Sequence, residues 1–87
     1  MDKIEKAFNN LVNNIRNKKS LIKFFDNCEF ISEEAVYDGD VLHKTSTFKD
    51  SFGNILKEEV VFDKSNNNCD YLGTKYNVYN IILKKEF

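Results

Sequence analysis

Two β-rich runs on either side of Asp38-Gly39 constrain this chain more than anything else in it. Glycine reaches positive φ without a Cβ clash, and aspartate tolerates the same region, so the dipeptide suits a tight hairpin turn between Glu34–Tyr37 and Val41–Phe48. The second run is rich in Val and Thr, whose branched Cβ fits a pleated surface. Asp50-Ser51-Phe52-Gly53-Asn54 is a second turn signal. Beyond it, Ile55 to Phe62 alternates, with Leu56, Val60 and Phe62 on one face and Lys57, Glu59 and Val61 on the other. Only Glu58 breaks the pattern. These runs predict a three-stranded antiparallel meander, and Tyr76 to Lys84 is expected to add a fourth strand. The aromatic and β-branched content excludes a long disordered acidic loop.

The residues before the meander read as helix. Asp2 and Glu5 have the spacing of a capping box. Ile4, Phe8, Leu11 and Ile15 fall on one face, flanked by Ala7 and Val12. The seam next requires an apolar residue at 18 and meets Lys18. Two readings compete there. Lys18 lays its stem on apolar surface and sends its ammonium to water, or the helix bends or stops at Asn17-Lys18-Lys19 and Ser20 caps a second short helix that resumes the seam with Leu21, Ile22 and Phe25. The bend is the favoured reading. Barely three heptads fit, which argues against a coiled coil.

Asn27 ends the helical part, and Cys28 to Ile31 reads as the start of a strand, with a bulge or break expected at Ser32-Glu33-Glu34. Lys64 to Asp70 is the clearest loop, because three consecutive asparagines compete with their own backbone for hydrogen bonds. Tyr71-Leu72-Gly73 is read as closing it. The last run is apolar on both faces at Ile81-Ile82-Leu83, which suits an inner strand or one covered by a partner.

The fold expected is therefore α+β. One N-terminal helical segment, bent near residues 17–20, packs on a four-stranded antiparallel meander, and residues 1–87 form one domain. A helix followed by a meander resembles, in architecture alone, cystatin-like folds, in which a sheet grips a helix. No motif of that family's function is present, so the resemblance implies no site.

A chain of 87 residues buries a modest core. Eight Phe and four Tyr supply much of the area it can bury. The net charge of −1 hides a segregation: residues 1–26 sum to +3, residues 27–70 to −6 and residues 71–87 to +2. Nothing at the N-terminus reads as a signal peptide, and no apolar run is long enough for a membrane span. A cytoplasmic protein with Cys28 and Cys69 reduced is the expectation, in the host cell's cytoplasm if the chain is phage-encoded.

Few residues point to chemistry. His43 lies in a strand with no orienting partner or pocket legible, so a surface histidine outweighs a general base. Cys28, His43 and Cys69 lack the close pairing of zinc ligands. Cys28 follows a helix C-terminus, where the dipole raises a thiol pKa rather than activating it. Asp38, Asp40 and Asp50 do not match an EF-hand loop. There is no glycine-rich phosphate loop and no nucleophile elbow. No catalytic residue, metal or cofactor is assigned.

The expectation is a non-enzymatic binding protein. Its class is that of small phage or mobile-element inhibitors, which occlude a host protein or ribonucleoprotein complex such as a CRISPR–Cas or other defence nuclease. Carboxylates on a rigid sheet can imitate phosphate spacing, and complementarity to a cationic groove then supplies on-rate and selectivity. The partner-binding candidates are Glu33, Glu34, Asp38, Asp40, Glu58 and Glu59. A competing reading is a nucleic-acid-binding regulator using Arg16, Lys18, Lys19 and Lys23, although direct nucleic-acid binding is disfavoured by the acidic meander beside them. A third is a self-associating assembly subunit or homodimer joined through Tyr79, Ile81 and Leu83.

Overall fold

The computed structural model describes residues 2–87. Helix α1 (Lys3–Arg16) and the short helix α2 (Ile22–Asp26) precede strands β1 (Cys28–Asp38), β2 (Val41–Asp50), β3 (Asn54–Asp63), β4 (Asp70–Asn80) and β5 (Lys85–Glu86). The strands form one antiparallel sheet in chain order, so every neighbour in the sheet is also a neighbour in sequence. The class is α+β, with the helix packed on the sheet. The expected four strands are five, because the chain turns after Asn80 and returns Lys85–Glu86 along Tyr79–Asn80.

Local chemistry sets each boundary. Asp2 caps α1 by accepting a hydrogen bond from the Ile4 amide, 2.9 Å. The helix stops where its seam fails. Lys18 adopts φ +52°, the Lys18 amide bonds the Ile15 carbonyl, and the Lys19 amide bonds the Asn14 carbonyl. That is a Schellman closure with lysine in the position glycine normally fills. Ser20 then accepts from the Ile22 amide, 3.2 Å, at the start of α2. The break near residues 17–20 is real, and it is a stop rather than a curve.

The first hairpin turns on Gly39 and Asp40, with Asp38 facing Val41 and Gly39 at φ +61°. The second turns on Ser51–Gly53, whose Gly53 sits at φ +84°. The bulge in β1 falls between Phe30 and Ser32, earlier than the expected Ser32–Glu34, and the strand continues through it. The fourth strand also differs from the expected Tyr76–Lys84. It begins at Asp70, so Tyr71-Leu72-Gly73 is strand with a bulge opposite Val61/Phe62, and Ile81 to Lys84 is turn.

The core occupies one end of the sheet. Phe8, Leu11, Val12, Leu21, Leu56 and Val78 are its buried members, with Phe24, Phe25, Phe48, Tyr76, Leu83 and Phe87 packed around them. Phe25 and Phe30 each meet Phe48 edge-on, at ring-centroid distances of 5.0 and 5.8 Å. Below this layer lies a polar knot. Asn54 and Asn80 are both 0% exposed. The Asn80 amide donates to the Asn54 side-chain oxygen (2.8 Å) and to the Phe52 carbonyl (3.0 Å). Its own oxygen accepts from the Ile82 and Leu83 amides. Asn54 in turn donates to Asp50, whose carboxylate also accepts the Phe52 and Asn54 amides. No buried side-chain polar atom among the described residues lacks a partner.

Ten- and eleven-residue strands run about 33–36 Å, whereas the fourteen residues of α1 span about 21 Å. The sheet therefore extends well past its helix, in a molecule 50 × 24 × 21 Å.

Two stability measurements check this account. Asn80→Leu strands two amides and the Asn54 oxygen in a buried site, and is expected to cost about 3 kcal/mol in urea unfolding. Lys18→Gly removes the left-handed strain and is expected to stabilise by about 1 kcal/mol.

Candidate functional site

Residues paired across antiparallel strands share a face, so the register sorts the sheet into rows. On the helix side the rows run Phe30–Phe48–Leu56–Val78, then Glu33–Ser46–Glu58–Tyr76, then Ala35–Lys44–Val60–Thr74, then Tyr37–Leu42–Phe62–Tyr71. The helices cover Phe48, Leu56 and Val78 of the first, while Phe30 at its edge is exposed. The last lies about 20 Å further along the strands, beyond every core residue. Tyr37 and Tyr71 are 58% and 60% exposed there, and Leu42 between them is buried at 8%. Phe62 meets Tyr71 edge-on at 6.0 Å. On the opposite face the distal rows are Glu34–Thr45–Glu59–Lys75, Val36–His43–Val61–Gly73 and Asp38–Val41–Asp63–Asp70.

The six candidate carboxylates thus do not share one face. Glu33 and Glu58 lie on the helix side, Glu34, Asp38 and Glu59 on the other, and Asp40 in the turn at the tip. They surround a single-layer blade. Two on the helix side are engaged: Lys44 bridges Glu33 at 2.9 Å, and the Tyr76 hydroxyl donates to Glu58 at 3.0 Å. His43 stands 3.7 Å from Glu59 on the open face. The blade, residues 33–46 and 58–76, holds eight carboxylates against three lysines, and the remainder ten basic groups against six acidic. The molecule is charged oppositely at its two ends.

The basic candidates do not converge. The Arg16 guanidinium lies over the Phe87 ring, 5.0 Å from its centroid. Lys19 and Lys23, by contrast, line an open groove of about 1220 Å³ between the two helices and the β2–β3 turn, together with Asn10, Asn13, Asn14 and Asn17. Lys18 is fixed in the helix stop. The apolar segment proposed for self-association is likewise divided, because Leu83 packs on the core while Ile81 and Ile82 stand exposed in the turn after β4.

The thiols cannot meet within one chain. Cys28 lies in the row of Asp50, at the covered end, and Cys69 immediately precedes Asp70, at the tip, a separation of about 30 Å along the strands. Both are free. Burial pushes the Cys28 thiol above its ordinary range, with Asp50 adding to the effect. Among the described residues no three His, Cys, Asp or Glu side chains gather as metal ligands, and no helix is long and apolar enough to cross a membrane.

The distal row Tyr37–Leu42–Phe62–Tyr71 was the feature sequence reading missed. Half of it was accessible, since a two-residue turn after Asp38 forces Tyr37 opposite Leu42. Tyr71 was not, because the bulge at Leu72 shifts the parity of β4. Compared with models of known protein families, with curated proteins and with solved structures, the chain matches none.

Burial, then the hydrogen bond to Glu58 and its charge, pushes the Tyr76 phenol from 10 up to about 12. A pKa raised on folding stabilises the native state fully below the unfolded value and loses that contribution as pH rises through the folded one. Stability is therefore expected to fall between pH 10 and 12. Comparing urea midpoints of the native chain and Tyr76→Phe across that range checks it, and the variant should lose this part of the decline.

Proposed function

We propose that this chain is a non-enzymatic binding protein that occludes a cationic surface of a protein partner, using the overhanging blade of its sheet. The observation that carries this reading is the blade's construction. It is one layer thick, presents carboxylates on both faces and at its tip, and holds an apolar row across four strands whose two outer tyrosines are exposed. A sheet with two open faces can enter a groove and meet both walls. Carboxylates spaced about 9.5 Å apart, as on β1 and β3 of the Glu34–Thr45–Glu59 row, supply the charge pattern. The aromatic row supplies rigid contact area of the kind that anchors interfaces. Grooves that bind nucleic acid have the required positive charge, which favours a nuclease or ribonucleoprotein as the partner and an inhibitory role in the manner of small phage proteins.

The test is capture of partners by the tagged chain with and without competing nucleic acid. The expected result is a nuclease-resistant protein partner displaced by added DNA or RNA and by rising salt. Glu34→Lys with Glu59→Lys should weaken it at least tenfold without unfolding the chain. Capture indifferent to both competitor and charge reversal would overturn the reading.

A further inference from the structure

The blade has a second property that deepens the reading above and rests on it. β1 is the terminal strand of the sheet, eleven residues long, and all its residues after Cys28 are exposed. From Ser32 to Asp38 it pairs with β2 without interruption, so its other edge offers a regular run of unpaired backbone groups. Edges of this length are commonly shortened, bulged or covered. The opposite side of the sheet shows those devices. There β4 carries a bulge at Leu72 with Gly73 at φ +145°, and its lower end is covered by β5 and by the reciprocal Val78–Phe87 backbone bonds.

Side chains on β1 specify what can add to it. Its four charged residues are all acidic: Glu29, Glu33, Glu34 and Asp38. Glu33 is already bridged by Lys44. On the open face Glu34, Val36 and Asp38 alternate, acid, apolar, acid, and neither carboxylate makes an ion pair among the described residues. A second copy of the chain is the wrong partner. The antiparallel register that joins Val36 to Val36 of another copy sets Glu34 opposite Asp38, and like charges directly opposite are destabilising. The matching strand has a basic residue facing each carboxylate, four positions apart, and an aliphatic residue midway.

We propose that β1 is a strand-addition site for an extended basic segment of the partner protein, with Lys or Arg at its first and fifth positions and an aliphatic side chain at its third. Main-chain bonds to the free edge then supply affinity, and Glu34, Val36 and Asp38 supply selection.

The test uses a seven-residue peptide with lysine at its second and sixth positions, valine at its fourth and threonine elsewhere. Amide shifts of the ¹⁵N-labelled full chain report where it binds. Movement confined to residues 29–38 and their β2 neighbours is expected, with at least tenfold weaker binding when the lysines are replaced by glutamate. Glu34→Lys with Asp38→Lys should reverse that preference. Two further peptides carry N-methyl groups on alternate amides, one set along each edge. Only one set is expected to abolish binding, because only one edge faces β1. Equal binding by both methylated peptides would overturn strand addition while leaving the cationic-partner reading intact. Absence of binding at millimolar peptide, or shifts on β4 instead, would overturn it as well. Failure of partner capture to respond to charge or salt would be the separate failure of the function itself.

Discussion

The hydrogen-bonded pair of Asn54 and Asn80 holds the covered end of this molecule together. Each side chain is fully buried, and each polar atom is matched. Through Asp50 and Phe52 the pair fixes the second hairpin; through Ile82 and Leu83 it fixes the turn that brings Lys85–Glu86 and Phe87 back onto the sheet. Gly53 belongs to the same arrangement. A Cβ there would meet Ile82 at 3.0 Å and would have to adopt φ +84°. The two turns flanking Asn54 and Asn80, residues 26 apart in sequence, are thereby locked side by side. The apolar core above them is small, so a network of this kind matters more here than in a larger domain: it gives the covered end one arrangement where hydrophobic packing alone would permit several.

What could be read from the sequence was whatever is signalled locally. The Ile4, Phe8, Leu11 and Ile15 seam, its failure at Lys18, and the turns at Gly39 and Gly53 all depend on residues within one turn of each other. What could not be read depends on parity or on burial against expectation. A single bulge at Ile31 breaks the parity between Phe30 and the rest of β1, and another at Leu72 does the same for Tyr71. Asn80 reads as a polar surface residue, because nothing in an asparagine announces that four backbone and side-chain partners await it. Ile81-Ile82-Leu83 reads as strand for the converse reason, since apolar residues in a turn have no periodicity to reveal them.

The carboxylates show the same division. Their clustering in sequence around the first hairpin was visible, and the structure keeps them together at one end. Their division between two faces follows from strand alternation, since Glu33/Glu34 and Glu58/Glu59 are adjacent pairs; that the helices stop short of this end was not visible, and it changes what the carboxylates can do. Six acidic groups on one face would make a flat patch. Divided between two faces of an unbacked sheet, with Asp40 at the tip, they make a charged projection opposite a basic, helix-covered base.

The strands that run the length of the molecule are therefore held very differently at their two ends. At the base, opening a strand means breaking the asparagine knot and exposing the core, which amounts to unfolding the molecule. At the tip, a strand is retained by its ladder bonds and by one row of side chains, so opening it costs little beyond those local contacts. The tip is held by fewer interactions than the base, although the same continuous strands run through both.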